Sequence, residues 1–495
     1  MKMLSSVPVA KAAASVPAEA SPSPLEKLRE FMETHRMKSK MGPQSFADFE
    51  RDLHARVMEV ERDMVAAEMA RHDIDADAVV IDGKVHRRVL RQSQTYETAA
   101  GDVVVERTLY KDRTDEDGRC VSPMELTLGI IGDFWTPRAA QQALWVVTQM
   151  TPKKGEDLFE RVGNMTPSKS SLDRLPKVIA ERWEGDRKAL ERALREGLEI
   201  PEGTESIAVS LDGVLAPIDG GNSPTEVRAK AANEGRLSKG PAGYREASCA
   251  TVSFCDEKGD LLGAIRLARA PEAKKVTLKQ MLVDEVAAIL RARPKLKMVK
   301  VADGAADNWE FLGSSKLPVS EEAVDFFHAS EHLHTAIANI YGDGTHETRF
   351  RHETLRETLR DEAGGVDKVI RALKHLAAKH PRKEIVAREL AYFRKHKKRM
   401  RYAELKAKGF MIGSGVVEAA CKTLVTQRLK QSGMRWSVSG AQAILTPRGW
   451  DQSERFDKAW ALVAATFHAE VTVLANVIAL KPQSPPRKPR AKPSR

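Results

Sequence analysis

The sequence predicts an α/β protein in which a mixed sheet with flanking helices occupies the middle of the chain. The apolar, β-branched run 207–214 is typical of a buried central strand. Residues 246–255 and 261–267 predict an antiparallel strand pair around a polar turn. The helical stretch 274–293 precedes a further apolar run at 297–302, which predicts another strand, and residues 324–327 predict a short strand after it. This succession of short strands and helical stretches favours the α/β class.

The composition limits the classes of function. The chain has 495 residues, 42% of them hydrophobic and 30% charged, which fits a soluble protein of several domains. Its formal net charge of +11 favours nucleic acid as a partner over a membrane surface. The four cysteines form no C-x-x-C pair, which argues against a disulfide framework and fits a reducing cytoplasm. The longest apolar run, 460–480, carries polar residues and is interpreted as a packed helix.

Shifts in composition divide the chain into seven segments. The ends are rich in proline: an Ala/Ser/Pro leader at the start and a basic tail without acidic residues at the end, and both are expected to be disordered. The predicted segments are the leader 1–24, an N-terminal region of helices and a β-hairpin at 25–120, a helical DNA-binding domain at 121–200, an α/β domain in two parts at 201–334 and 409–480, an all-helical insertion at 335–408, and the tail 481–495. In the first region, strands at 95–98 and 103–110 are predicted to form the hairpin.

The 121–200 segment contains a pattern that resembles a helix-turn-helix. Two helical stretches, 155–162 and 168–182, are separated by a short turn. The second stretch carries Lys169, Arg174 and Lys177, so it could enter a DNA major groove. A plain helical hairpin with solvated charges is the alternative interpretation.

Three acidic residues form the strongest chemical signal. Asp212 and Asp303 are predicted to end strands, and Glu418 lies in the first turn of a late helix. Together they could bind two divalent cations, Mg²⁺ or Mn²⁺, as phosphoryl transfer on DNA requires. Each also has an ordinary interpretation: the two aspartates precede glycines and could stabilise turns, and Glu418 is favourable at a helix start. Asp307 is an alternative to Asp303 as the second ligand.

Four motifs make the sequence similar to a known family. They are residues 210–214 (Ser-Leu-Asp-Gly-Val), 301–305 (Val-Ala-Asp-Gly-Ala), 413–418 (Gly-Ser-Gly-Val-Val-Glu) and 428–437 (Arg-Leu-Lys-Gln-Ser-Gly-Met-Arg-Trp-Ser). The chain resembles bacterial insertion-sequence transposases of the acidic-triad (DDE) class, and most of all the Kra-type, ISKra-like group, over roughly residues 120–448. The resemblance implies an RNase H-like catalytic domain interrupted by an all-helical insertion. It also implies that Asp212, Asp303 and Glu418 are the catalytic residues and the metal ligands.

The resemblance implies DNA contacts near the triad as well. Residues 325–328, Asp-Phe-Phe-His, resemble the Asp/Cys-x-x-His signature of several transposase families. His328 would then contact a DNA end, although it could instead form a structural hydrogen-bonded pair with Asp325. Relatives often carry a cysteine pair near Cys120; this chain has one cysteine there, which argues against a zinc ribbon.

The segment after Glu418 is expected to hold the phosphate backbone. Arg428, Lys430 and Arg435 would clamp phosphates in this reading. Trp436 would stack on a base or, alternatively, pack in the core.

The expected function is therefore DNA transposition. Water would cleave the element end and the freed 3′-hydroxyl would attack target DNA. The partners would be the element ends and a target duplex, bound by a homodimer, with neither a membrane nor a small-molecule substrate. A domesticated, non-catalytic DNA-binding protein and a structure-selective nuclease on the same fold remain the alternatives.

Overall fold

The computed structural model describes residues 23–37, 43–112, 114, 118–220, 243–380 and 384–474. The chain forms two compact units. The first comprises Met1–Leu128, Asn164–Thr166 and Val471–Arg495, and the second comprises Gly129–Gly163 and Pro167–Glu470. The predicted leader, apart from Ser23 and Pro24, and the whole predicted tail lie outside the described residues.

The first unit is built on an antiparallel sheet and three helices. Its elements are α1 (Pro24–Met37), α2 (Pro43–Arg71), β1 (Ala78–Ile81), β2 (Lys84–Thr98), β3 (Gly101–Asp112), α3 (Pro123–Leu128) and β9 (Val471–Val473), and the strand order is β3-β2-β1-β9. The predicted hairpin is confirmed as β2 and β3. Its turn is closed by the Thr98 hydroxyl, which donates to the Gly101 carbonyl at 2.6 Å. Gly101 has a φ of +104°, which a residue with a side chain rarely adopts.

The interpretation of 460–480 as one packed helix is wrong. The helix α18 ends at Ala465, and Val471–Val473 form the short strand β9 paired with β1. The Val-Thr-Val sequence prefers an extended conformation because β-branched side chains fit a pleated surface. Among the helices of the described residues, none has both the length and the apolar character that a bilayer span needs.

The second unit contains a five-stranded mixed sheet. Its strands are β4 (Ser206–Ala216), β5 (Arg245–Cys255), β6 (Leu261–Arg269), β7 (Lys297–Ala302) and β8 (Glu321–Val324), in the order β6-β5-β4-β7-β8. The first three strands are antiparallel, whereas β7 is parallel to β4 and β8 is parallel to β7. If these five strands are numbered from 1 to 5 along the chain, their spatial order in the sheet is 3-2-1-4-5. This mixed α/β arrangement is compatible with the expected RNase H-like fold.

Helices surround this sheet and fill the interval before Glu418. They are α4 (Pro137–Gln149), α5 (Pro152–Val162), α6 (Lys169–Gly185), α7 (Arg187–Glu196), α8 (Val276–Ala292), α9 (Ala306–Leu312), α10 (Phe326–Tyr341), α11 (His346–Asp361), α12 (Gly365–Lys379), α13 (Glu384–His396), α14 (Tyr402–Ala407), α15 (Gly415–Ala420), α16 (Gln427–Leu429), α17 (Val438–Gln452) and α18 (Phe456–Ala465). Short 3₁₀ segments lie at Ala273–Lys275 and Lys397–Arg399, and a π-helical segment at Cys421–Thr426 joins α15 to α16. The helical character expected for 335–408 is thus confirmed for its described residues.

Hydrophobic burial fixes the central strand. Ile207, Val209 and Leu211 lie on one side of β4 and are buried in the same hydrophobic cluster as Leu278 and Leu282 of α8. Burial of apolar surface on this scale contributes roughly 1.5–3 kcal/mol for each large aliphatic side chain. The predicted central position of the 207–214 run is confirmed.

Two strand ends differ from the prediction. Asp212 does not end its strand, since β4 continues to Ala216 through antiparallel pairing with β5. The parallel pairing with β7 covers only Ser206–Val209, so Asp212 has a strand neighbour on one side alone. The strand predicted at 324–327 ends at Val324, because the Asp325 carboxylate caps α10 and accepts the His328 N–H at 2.6 Å.

Gly409 lies where the chain passes close to the five-stranded sheet after α14. It lies just beyond α14 with a φ of +77°, and its carbonyl accepts a hydrogen bond from Ser206 of β4 at 3.2 Å. A methyl group there would collide with the Glu257 carbonyl, whereas at Gly344 (φ +73°) no described atom lies within 4 Å of an added Cβ.

We therefore expect Gly409→Ala to lower the thermal unfolding midpoint more than Gly344→Ala does. Both substitutions carry the left-handed strain of about 1–2 kcal/mol, and only the first adds a backbone clash. Calorimetry on the two variants measures the difference. Equal losses would mean that the approach of Gly409 to Glu257 does not contribute to stability.

Candidate active site

Asp212 occupies the middle of β4, opposite Cys249 of β5. Its Oδ1 accepts the Gly213 N–H at 2.7 Å, and its Oδ2 lies 3.9 Å from the Cys421 thiol. Burial raises the pKa of Asp212, and the nearby Asp303 carboxylate raises it further. The Gly213 hydrogen bond and the charges of two cations act against this shift. The Asp212 carboxyl group is therefore partly desolvated and lies within electrostatic range of a second carboxylate, that of Asp303.

Asp303 follows β7 directly, as predicted. Its Oδ1 accepts hydrogen bonds from the Ala305 N–H and from the Asn308 side-chain amide, both at 3.1 Å. The same Asn308 amide lies 3.5 Å from the Leu211 carbonyl of β4. Asn308 therefore ties Asp303 to the strand that carries Asp212. Asp303 and Asp307 were the two alternatives for the second metal ligand. The geometry favours Asp303, because its charge raises the pKa of Asp212. Asp307 is exposed on α9.

Glu418 lies in the first turn of α15, as predicted from its sequence position. The Ser414 hydroxyl donates to its Oε1 at 3.0 Å. The side chain is 43% exposed, and its Oε1 lies 3.8 Å from Nδ1 of His328. Its carboxylate thus faces the same space as the His328 ring and is accessible to solvent.

The His328 ring connects these acids electrostatically. Its Nδ1 lies 3.6 Å from Asp325 and 3.8 Å from Glu418. The hydrogen bond with Asp325 raises the pKa of His328 to about 9, against the effect of burial, and the charge of Asp303 adds to the shift. The charge of His328 in turn lowers the pKa of Asp212. His328 therefore lies close to Glu418, and its charge interacts with those of Asp212 and Asp303.

The tightest potential metal-ligand set differs from the triad. In the described chain, the ligand atoms of Asp325, His328 and Glu418 lie within 4.8 Å of one another, a criterion that Asp212, Asp303 and Glu418 do not meet as a trio. Asp325 is fully buried, and its oxygens already accept the N–H groups of His328 and Ser414. Burial would raise the pKa of Asp325, but these hydrogen bonds hold it below its ordinary value. Asp325 is thus engaged as a structural cap, as its alternative interpretation proposed.

The predicted helix-turn-helix pattern exists as α5 and α6. Ser168 caps α6 by accepting the Ser171 N–H at 3.1 Å. Lys169, Arg174 and Lys177 are exposed on α6, and Lys177 pairs with Asp173 at 2.5 Å. The opposite face of α6 is buried, so these cations lie on a packed helix that presents its charges to solvent.

The residues after Glu418 divide into buried and exposed groups. Arg428 is 1% exposed and donates from Nε to the Val147 carbonyl at 3.2 Å, so the expectation that it clamps phosphates does not fit its burial. Burial lowers the pKa of Arg428 to about 10, and the nearby Arg448 adds to this. Lys430 and Arg435 are exposed; Arg435 pairs with Asp219 at 2.6 Å.

Trp436 follows its core alternative. Its indole N–H donates to the Leu429 carbonyl at 3.1 Å, and the Arg428 guanidinium lies 5.3 Å from the centre of its ring. The side chain packs against the cluster that includes Leu424 and Leu445. The indole N–H and the ring of Trp436 therefore both have their partners within the protein.

Sequence reasoning missed three residues at the site. Asn308 joins Asp303 to β4, Ser414 donates to Glu418, and the charge of Lys275 lowers the pKa of Asp212. The position of Ser414, four residues before Glu418, was a usable signal because helix starts favour serine. Nothing in the sequence around Asn308 or Lys275 indicated their proximity to the acids.

No protein-family model matches the chain, and no curated protein sequence does. Among solved structures, the chain is similar to the Drosophila P element transposase strand transfer complex. The identity is 10% and the TM-score is 0.24, with 66% of this chain and 80% of that chain covered. A TM-score this low carries no information on fold or function.

The burial of Arg428 leads to a stability prediction. We expect Arg428→Ala to lower the free energy of unfolding by about 2–4 kcal/mol, because it leaves a cavity beside Trp436 and an unpaired Val147 carbonyl. Lys430→Ala, two residues away and exposed, should change it by about 0.5 kcal/mol or less. Denaturant titration of both variants tests this, and a fully stable Arg428→Ala protein would restore the phosphate-contact reading.

The protonation of His328 leads to a pH prediction. Because its pKa is raised above the value in an unfolded chain, its stabilising contribution is complete below about pH 6.5 and is lost as the pH rises through about 9. Its side chain is 39% exposed, so solvent screening limits the effect to about 1 kcal/mol. The melting temperature of His328→Gln should therefore fall below that of the unmodified protein by more at pH ~6 than at pH ~10.

The control is His375→Gln, which changes an exposed histidine on α12. The pH dependence of the His328→Gln effect should exceed that of this control. A pH-independent effect of His328→Gln would mean that the ring is not held protonated by Asp325.

Proposed function

We propose that this chain is a DNA transposase of the acidic-triad type, which cleaves the ends of an insertion sequence and joins them to target DNA. One observation carries the proposal: Asn308 links Asp303 to the strand that carries Asp212, and Glu418 lies 3.8 Å from the His328 ring, whose charge interacts with both aspartates. More than 200 residues separate Asp212 from Glu418 in the sequence. The four motifs that resemble the Kra-type group include these same three acids. Transposition requires two ends to be processed together, so we propose that the protein acts as a homodimer on DNA.

The donor set fits divalent cations that prefer oxygen. The three side chains offer carboxylate oxygens, and Asp212 and Asp303 repel one another, as the raised pKa of Asp212 indicates. Magnesium or manganese ions held by Asp212, Asp303 and Glu418 would activate an attacking oxygen and stabilise a leaving oxygen. Partial exposure of Glu418 supports access of a substrate to this group.

The remaining side chains would hold and position DNA. A protonated His328 can donate a hydrogen bond to a phosphate oxygen, which is the DNA-end role expected for it. Ser414 and Asn308 hold the carboxylates of Glu418 and Asp303 in fixed orientations. The exposed cations Lys169, Arg174, Lys177, Lys430 and Arg435 can bind phosphates, whereas Arg428 and Trp436 support the fold around them.

The decisive experiment uses labelled duplexes from the two borders of the DNA segment that encodes the chain. We expect Mg²⁺-dependent cleavage and joining to a second duplex by the unmodified protein. Asp212→Asn, Asp303→Asn and Glu418→Gln should each reduce cleavage by about 10²–10³-fold, because several kcal/mol of charge stabilisation are lost. Strand mapping on denaturing gels measures both steps.

Asp307→Asn is the matched control, since it removes an exposed acid four residues from Asp303. It should retain cleavage near the unmodified level. Full activity of Asp212→Asn would reject the proposal. Cleavage without joining would indicate a structure-selective nuclease, and metal-independent binding without cleavage a non-catalytic DNA-binding protein.

A further inference from the structure

A lysine-lined cleft lies beside the candidate active site. It has a volume of about 510 Å³ and lies between the start of α8 and the helix α9. Four lysines line it: Lys274, Lys275, Lys279 and Lys316. Asp307 and Glu310 are the acidic side chains among its lining residues. Cations thus outnumber anions two to one on its walls.

Two of these lysines form no ion pair with any residue that the structure describes. They are Lys274 and Lys316, and both are exposed. Lys279 lies 5.3 Å from the centre of the Phe311 ring, and Lys275 pairs with Glu246 at 2.6 Å. Unpaired ammonium groups across one cleft favour a ligand that carries several negative charges.

The start of α8 is not the source of this attraction. The Glu272 carboxylate accepts the N–H groups of Thr277 at 3.2 Å and Leu278 at 2.9 Å, so the first free amides of the helix are occupied. The lysine side chains are the positive groups of the cleft. Lys274 and Lys275 both have left-handed backbone angles, with φ of 55° and 54°, a conformation that is uncommon for residues with side chains.

Two contacts connect the cleft to the acids. Asn308 lines the cleft and donates to Asp303 at 3.1 Å. Lys275 lines it as well, and its partner Glu246 approaches Gly213, the residue after Asp212, so closely that an added Cβ would collide with the carboxylate. A DNA strand whose phosphates bind in the cleft would therefore pass close to Asp303 and Asp212.

We propose that this cleft binds the phosphate backbone of the DNA strand that enters the candidate active site. This inference rests on the proposed function and adds to it the path of the substrate. The lysines act as positioning residues: they bind non-reacting phosphates and leave the reacting one to the acids. The cleft does not include the exposed cations of α6 or those that follow Glu418.

The test measures DNA binding without metal, so that it does not depend on cleavage. The probe is a short fluorescein-labelled DNA duplex in buffer that contains EDTA, and anisotropy gives the dissociation constant over a range of salt concentrations. For Lys274→Gln/Lys316→Gln we expect weaker binding and a loss of about 1.8 from the slope of log K against log salt, since two phosphate contacts disappear. Neither residue is buried or paired, so folding should be unaffected, which melting temperature checks.

The control is Lys188→Gln/Arg291→Gln, which removes the same charge from a second basic cleft between α7 and α8. It should keep the slope of the unmodified protein. An equal loss in both variants would show binding to net charge alone and would overturn the inference, as would unchanged binding by the first variant.

Failure of this inference and failure of the proposed function give different results. If Asp212→Asn still cleaves DNA while Lys274→Gln/Lys316→Gln loses binding, the triad assignment fails and the cleft assignment stands. If the triad variants lose cleavage while the lysine variant binds normally, the triad assignment stands and the cleft assignment fails.

Discussion

The buried carboxylate of Asp325 is the interaction on which the site depends. It is 0% exposed, and a charge in such a place is costly unless hydrogen bonds compensate for it. Here that compensation comes from the N–H groups of His328 and of Ser414, and Ser414 lies 89 residues after Asp325, beyond the helical segment 335–408. Adjacent backbone bonds, from Asp325 to Ala302 at 2.8 Å and from Phe326 to Ile412 at 3.1 Å, reinforce the junction. The start of α10 and the approach to α15 are thereby fixed to the end of β7.

Electrostatic balance follows from the same junction. Asp325 keeps His328 protonated, and the ring supplies a positive charge to a region that otherwise holds Asp212, Asp303 and Glu418. Burial and the charge of Asp303 raise the pKa of Asp212, whereas the charge of His328 lowers it. Such a group of competing charges is typical of sites that bind ions or charged substrates. The ion pair between Lys275 and Glu246 adds a further positive and a further negative charge between this group and the lysine-lined cleft.

The local pattern of the sequence was enough to predict the strands of the five-stranded sheet, the position of Asp303 after a strand and that of Glu418 in the first turn of a helix. The buried runs at 207–214 and 297–302 and the helical character before Glu418 follow from periodicity and β-branched composition, which act over a few residues. Tertiary contacts decided the rest. Pairing with β5 extends β4 past Asp212, and contacts with Val147 and Trp436 bury the Arg428 guanidinium, which sequence alone presented as one more surface cation. The proximity of Asn308 to Leu211 arises only when β7 aligns with β4.

The position of the all-helical insertion has a consequence for how this architecture can change. Its two ends meet at one hydrogen-bonded carboxylate, so the entropy of closing that long loop is offset at the junction and depends only weakly on the number of residues between. Helices of the insertion can thus be lengthened, shortened or exchanged during evolution while Glu418 keeps its place. In this architecture the position of Glu418 depends on a few hydrogen bonds at that junction and not on the length of the helical segment.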